Sequence, residues 1–174
     1  MAKIRRLYRP RHKFAHKGDF GHAAIVAGSK ATFGAAMLSA KACIKSGTGL
    51  VTAFIPSSHS LALSSFAPEI MVHTCGLDFL KVINVDWSKY TIGLGPGIGK
   101  ESETAKFVLE ILTKALKPIV IDADGLNILA EHPEWLHSIP KNSILTPHPK
   151  EMSRLFGNTD SEIEQIELAT QMAQ

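Results

Sequence analysis

Tyr90–Gly99 reads YTIGLGPGIG, a short apolar run that passes straight into a loop with glycine at every second position. A run of this kind ended by glycine is the signature of a buried strand. The glycines let the chain turn sharply and bring backbone N–H groups close to whatever lies outside. Glu101–Leu116 follows, and its Phe107, Leu109, Ile111 and Leu112 supply the apolar positions of a helix. Strand, glycine loop and helix together make the opening of a βαβ unit.

Working outward, the same unit recurs. Upstream, His22–Gly28 (HAAIVAG) is a buried strand. Gly34–Ser46 is a helix, with Ala35, Leu38, Ala42 and Lys45 at helical spacing and Gly47 and Gly49 closing it. Leu50–Pro56 is a strand stopped by Pro56, Ser57–Phe66 a helix and Glu69–Thr74 a third strand. Tyr90–Leu94 is the fourth. Downstream, Pro118–Ala123 (PIVIDA) and Ser143–Thr146 (SILT) are strands, with a short helix at Leu126–Glu131 between them. Helices at Lys150–Phe156 and from Ser161 onward complete the series. Strands alternating with helices predict an α/β fold whose central, mostly parallel sheet carries helices on both faces. No internal repeat, low-complexity tract or long linker interrupts it.

Composition agrees. The chain has 174 residues, 45% of them hydrophobic and 20% charged, with a mean hydropathy of +0.07. That excludes a charge-rich disordered chain and suffices for one domain with a real core. A net charge of +3 suits an anionic small molecule and demands neither nucleic acid nor an anionic membrane as partner. The two cysteines, Cys43 and Cys75, lack the spacing of a zinc or disulfide framework and read as reduced thiols of a cytoplasmic protein. No signal-type apolar segment follows the basic start, and no apolar run approaches the ~20 residues of a membrane span. Residues 1–16 read as a basic arm, either solvated or packed on a partner subunit or an anionic ligand.

In an open parallel sheet, ligands bind at the carboxyl ends of the strands. There the sequence sets Gly28-Ser29-Lys30 and Thr32–Ala36, the loop Gly95–Gly99, the segment Asp122–Asn127 (DADGLN) and Thr146–Glu151 (TPHPKE). The GPGIG loop suits an anion held by backbone N–H groups, or is plain turn chemistry. It is no Walker loop, because Leu94 stands at the first glycine position and Glu101 follows Gly99-Lys100; it is no dinucleotide fingerprint, because Lys100 stands in the third glycine place. Asp122 and Asp124 share a face if the strand continues, Asp124 otherwise capping the next helix, and Asp122 lies deeper. His148, held between Pro147 and Pro149, is placed to touch ligand. Lys17-Gly18-Asp19-Phe20-Gly21 reads as a turn, or as a flap over a ligand. No Gly-x-Ser-x-Gly elbow, Cys–His pair or HExxH supports hydrolysis.

The ordered set, comprising Lys17-Gly18-x-x-Gly21, VAGS at Val26–Ser29, Gly34-Ala35-Ala36, SGTGLV at Ser46–Val51, PEIMV at Pro68–Val72, GLGPGIG at Gly93–Gly99, DADGLN and LTPHPKEMSRLFG at Leu145–Gly157, resembles the ADP/ATP-dependent NAD(P)H-hydrate dehydratases of the ribokinase superfamily. The resemblance runs from about Lys17 onward. It implies a ribokinase-like fold and nucleotide-dependent dehydration of the 6S hydrate of NADH or NADPH. Phosphorylation of the hydrate hydroxyl would make a good leaving group, and elimination would restore the dihydropyridine. It further implies ADP or ATP as co-substrate, Mg²⁺, a homo-oligomer (a tetramer in many members) and a functional link to an NAD(P)H-hydrate epimerase. Carried over residue by residue, the hydrate contacts fall at Ala35 and Ala36, at Gly95, Gly97 and Gly99, and at His148, with Asp122, Asp124 and Asn127 on the substrate side. The family's Gly-x-Gly-Asp turn, whose aspartate is the expected base, occurs nowhere among the 174 residues. Residues 17–174 are therefore expected to be the N-terminal portion of one such domain, inactive alone, and the helix from Ser161 is expected to lead to another strand. A small-molecule kinase of the same superfamily and a non-catalytic nucleotide-binding module are the competing readings.

Overall fold

The computed structural model describes residues 11–173. Six strands, β1 (His22–Val26), β2 (Leu50–Ile55), β3 (Met71–Thr74), β4 (Thr91–Leu94), β5 (Val120–Ile121) and β6 (Ile144–Leu145), form one sheet in the order β3-β2-β1-β4-β5-β6. All neighbours are parallel, with Ala23 opposite both Val51 and Thr91, Leu94 opposite Ile121 and Ile121 opposite Leu145. The chain builds outward from β1 to β3, returns beside β1, and builds outward again. The reversal lies between β1 and β4, where an open α/β sheet opens its crevice.

Residues on the strands alternate between two cores. Ala24 and Val26 pack with Phe54, Ile92, Leu94, Phe107, Ile111 and Leu126 on one face; Ala23, Ile25 and Ala27 pack with Phe33, Ala36, Ala40, Val51 and Leu63 on the other. The first core takes α3 (Ser102–Lys114) and α4 (Asp124–Glu131); the second takes α1 (Phe33–Lys45) and α2 (Ser60–Phe66). Helices thus cover both faces, as the continuous apolar strands require. Two further helices, α5 (Pro149–Phe156) and α6 (Glu162–Met172), follow β6.

Three sequence readings need correction. On α1 the buried stripe is Phe33, Ala36 and Ala40, and Leu38 is 71% exposed. Close approach to β1 selects the small side chains: a Cβ on Gly28 would sit 2.9 Å from Ala36 Cβ. β5 and β6 are two residues each, far shorter than the runs that predict them. After Ile121 the chain makes one more ladder bond, Asp122 N–H to the Leu94 carbonyl at 3.0 Å, then turns at Ala123, whose φ is +49°. Finally, Lys17–Phe20 is a 3-10 turn that braces the amino edge of the sheet, where Gly49 N–H donates to Phe20 O and Leu50 N–H to Gly21 O. The five residues of β1, about 16 Å of strand, separate it from the carboxyl edge, so it is not a ligand flap. Of the basic arm, residues 1–10 lie outside the described residues; Arg11 stacks over the Phe20 ring at 4.3 Å and donates to the Gly47 carbonyl.

Candidate functional site

The crevice at the carboxyl ends of β1 and β4 is made by two loops bound to each other. Gly28 N–H donates to the Pro96 carbonyl at 2.8 Å, and Gly95 N–H to the Val26 carbonyl at 3.0 Å. Thr32 Oγ1 donates to the Gly97 carbonyl at 2.6 Å and sits 2.7 Å from Ser29 Oγ. Thr32 occupies the N-cap position of α1, yet its hydroxyl serves the neighbouring loop instead of its own helix. Lys30 is held to Asp78 by both its backbone N–H and its ammonium group.

Two glycines of the GPGIG loop are fixed by space. A Cβ on Gly95 would lie 1.9 Å from the Asp122 carbonyl oxygen, and its φ of +125° excludes other residues in any case. Gly97, at φ +66°, presses on Thr32 and Ala35: a Cβ there would lie 2.9 Å from Ala35 Cβ. Of the loop's N–H groups, that of Gly95 goes to Val26, that of Ile98 to the Gly95 carbonyl and that of Gly99 to Asp124. The Gly97 N–H finds no acceptor among the described residues. It is the loop's free donor, next to the amino end of α1, whose partial positive charge favours anions.

The DADGLN segment is built differently from its sequence reading. Asp122 and Asp124 do not share a strand face, because the chain turns at Ala123 and α4 begins at Asp124. Nor does Asp124 cap that helix: its Oδ2 accepts the Gly99 N–H at 3.0 Å and its Oδ1 accepts from Asn127 Nδ2 at 3.3 Å. Asp122 is half-buried like Asp124, and its Oδ1 accepts from Thr146 Oγ1 at 2.8 Å. One carboxylate thus ties the glycine loop to α4, and the other ties β5 to β6.

His148 is the N-cap of α5. Its Nδ1 accepts the Glu151 N–H at 3.1 Å, and the buried Glu151 carboxylate accepts the His148 N–H at 2.9 Å, a reciprocal capping box. With Nδ1 occupied, the neutral ring carries its proton on Nε2. The side chain is 58% exposed at the carboxyl end of β6, about 10 Å across the sheet edge from β4 at ordinary strand spacing.

The structure brings Ala35, Gly95, Gly97, Gly99, Asp124 and Asn127 together, with Asp122 and His148 further along the same edge. Ala36 turns away into the core at 0% exposure. Asp78 escaped the sequence reading, and Thr32 and Thr146, though placed at this edge, were given no role of their own. A threonine one residue before a helix was a visible signal, but it pointed to capping and not to a bond 65 residues away. Among the described residues no three His, Cys, Asp or Glu side chains converge to hold a metal ion. Among the described residues no helix is long and apolar enough to cross a membrane.

The chain is 36% identical over 90% of its length to the bifunctional NAD(P)H-hydrate repair enzyme of Escherichia coli, spanning 29% of that protein. It is 36% identical over 91% of its length to the ADP-dependent (S)-NAD(P)H-hydrate dehydratase of Streptococcus thermophilus, spanning 57% of it. The ATP-dependent enzyme of Drosophila pseudoobscura is also 36% identical, and the chain spans 52% of it. In fold, it superposes with a TM-score of 0.74 on a ribokinase-like superfamily protein from Enterococcus faecalis, at 22% identity and covering 93% of this chain and 58% of that one. The ADP/ATP-dependent NAD(P)H-hydrate dehydratase of Bacillus subtilis, crystallised with ATP and Mg²⁺, gives 0.72 at 23% identity, over 94% of this chain and 58% of that one. The chain therefore spans between about a third and somewhat over half the length of the relatives it matches. The NAD(P)H-hydrate dehydratase family matches residues 23–174, and with the ribokinase-like sheet beneath that match the chain belongs to this family.

Proposed function

We propose that the protein takes part in repair of hydrated nicotinamide dinucleotides, restoring NADH or NADPH from the 6S hydrate with ADP or ATP as co-substrate and Mg²⁺. The carrying observation is the β1/β4 crevice: its walls are Thr32 and Ala35, the GPGIG loop and the start of DADGLN, all within the matched residues 23–174. The chemistry the reading requires is conversion of a poor leaving group into a good one. Phosphoryl transfer to the hydrate hydroxyl, then loss of that phosphate with a ring proton, regenerates the dihydropyridine; positioning and charge neutralisation carry most of such a transfer.

On this reading Ala35, Gly95, Gly97 and Gly99 form the floor under the hydrate, with the free Gly97 N–H offered to an anionic or carbonyl oxygen. Asp122, Asp124 and Asn127 hold the substrate side in shape, and His148 contacts the far part of an extended dinucleotide. Residues 17–174 make up the N-terminal portion of the domain, in keeping with the greater length of the matched relatives. A cytoplasmic homo-oligomer linked functionally to an NAD(P)H-hydrate epimerase completes the reading.

The test is to give the full-length protein hydrated NADH with ADP, then ATP, and to follow return of the near-ultraviolet absorbance of reduced nicotinamide. Recovery with either nucleotide is expected; none with both overturns the proposal in favour of a kinase or a binding module. Residues 1–174 alone are expected to show no turnover. Substituting His148→Ala should weaken hydrate binding more than ADP binding, and the reverse would remove His148 from the substrate site.

A further inference from the structure

The Asp124 carboxylate that holds the Gly99 N–H is itself held. Asn127, one turn along α4, spends its amide N–H on Asp124, and its own oxygen accepts from Arg154 Nη1 at 2.6 Å. Arg154 stands in the last turn of α5, the helix that opens with His148 and packs against α4. Arg154, Asn127, Asp124 and Gly99 therefore form one unbroken series of hydrogen bonds, running from α5 through α4 into the GPGIG loop.

The series has a direction, set at both ends: Asp124 only accepts and Arg154 only donates. A carboxamide presents an acceptor at one corner and donors at the other, so Asn127 has two orientations of nearly equal shape. A guanidinium has donors only. With Arg154 beside it, the Asn127 oxygen must face α5 and its NH₂ must face Asp124. In the flipped orientation two oxygens would face each other at Asp124, and the carboxylate would turn away from Gly99. We propose that Arg154 is a positioning residue of the glycine loop: it holds Asn127 in one orientation, which keeps Asp124 on the Gly99 N–H and so fixes the pose of Gly97 at the crevice. The relay stands on these contacts alone; its value to substrate rests on the dehydratase reading.

An arginine in the last turn of a helix also complements the helix dipole, and the test separates the two roles. In isotope-labelled protein, hydrogen exchange at the Gly99 amide is measured for wild type, Arg154→Ala and Asn127→Asp. The second variant keeps a partner for Arg154 but takes the donor away from Asp124. Both are expected to speed Gly99 exchange by about tenfold, the scale of one lost hydrogen bond to a charged group, with amides of β2 unmoved. A Gly99 amide unchanged in Arg154→Ala overturns the relay, and one changed in Arg154→Ala but not in Asn127→Asp overturns it too and leaves a helix-end charge. Titration with the NADPH hydrate reads the second claim separately: both variants should bind about tenfold more weakly than wild type. Equal binding by all three would overturn the link to substrate, and a wild type that binds no hydrate would sink the dehydratase reading while leaving the amide result to decide the relay.

Discussion

The two ends of the sheet's right half are built to opposite standards. At the β1/β4 crevice, backbone meets backbone: Gly95 touches Asp122 and Gly125, Gly97 touches Thr32 and Ala35, and each loop bonds the other. At β6, two residues pair with β5, Ile144 is 58% exposed, and α6 buries none of its residues, with Ile163 and Ile166 about two-thirds exposed. Between β6, α5 and α6 lies a cavity of about 750 Å³ lined by Leu136, Ile139, Leu145, Met152, Phe156 and Met172. Density at the crevice fixes geometry, and openness at β6 leaves apolar surface on show. Exposed apolar surface of this sort is what interaction surfaces and ligand grooves are made of.

That contrast can be broken or sharpened by measurement. Gly95→Ala is expected to cost about 3 kcal/mol or more, since it combines a forbidden φ with a clash against backbone on both sides. Ile144→Thr on the open edge is expected to stay within about 0.5 kcal/mol. Urea unfolding of both gives the ratio, and equal losses would erase the distinction. Next, Asp124→Ala frees the Gly99 N–H and the Asn127 amide and is expected to cost about 1 kcal/mol, read the same way.

Thiol reactivity comes third. Burial pushes the Cys75 thiol up to about 12 and leaves it fully enclosed, whereas Cys43 is half-buried. Iodoacetamide should alkylate Cys43 alone in the native protein and both thiols in urea; native labelling of Cys75 would show the packing there to be loose. The smallest effect is at His22, at the amino end of β1, where burial lowers the imidazole below its ordinary 6.5. A folded value below the unfolded one means that the unfolded chain takes up the proton first. The contribution of His22 is therefore fully present above pH 6.5 and falls away as pH drops through the lowered folded value. Thermal unfolding from pH 7.5 down to 5 should reveal a decline that His22→Asn flattens; an unchanged slope would mean that the ring is not desolvated.

Elements that rest on periodicity were legible in the sequence. β1, β2, β4 and α3 lie where runs such as HAAIVAG and YTIGL put them, and Gly95, Gly97 and Ala35 meet at the expected sheet edge. Features that depend on partners far along the chain were not legible. Leu38 fits the spacing of an α1 stripe, but the face is chosen by Gly28 coming close to Ala36. Asp124 has the look of an N-cap, but its carboxylate reaches 25 residues back to Gly99. Arg154 resembles any exposed helix-end arginine until Asn127 is seen beside it.

Ala123 carries one more consequence. It bears a side chain at φ +49°, ψ −120°, between β5 and the start of α4, a conformation that favours glycine. Holding alanine there stores about 1–3 kcal/mol, and the bonds of Asp122 and Asp124 on either side keep it in place. The turn is thus loaded like a spring, at the point where the strand hands over to the helix that grips the glycine loop. Ala123→Gly would unload it, and the protein would gain stability at the cost of a hinge free to choose other angles.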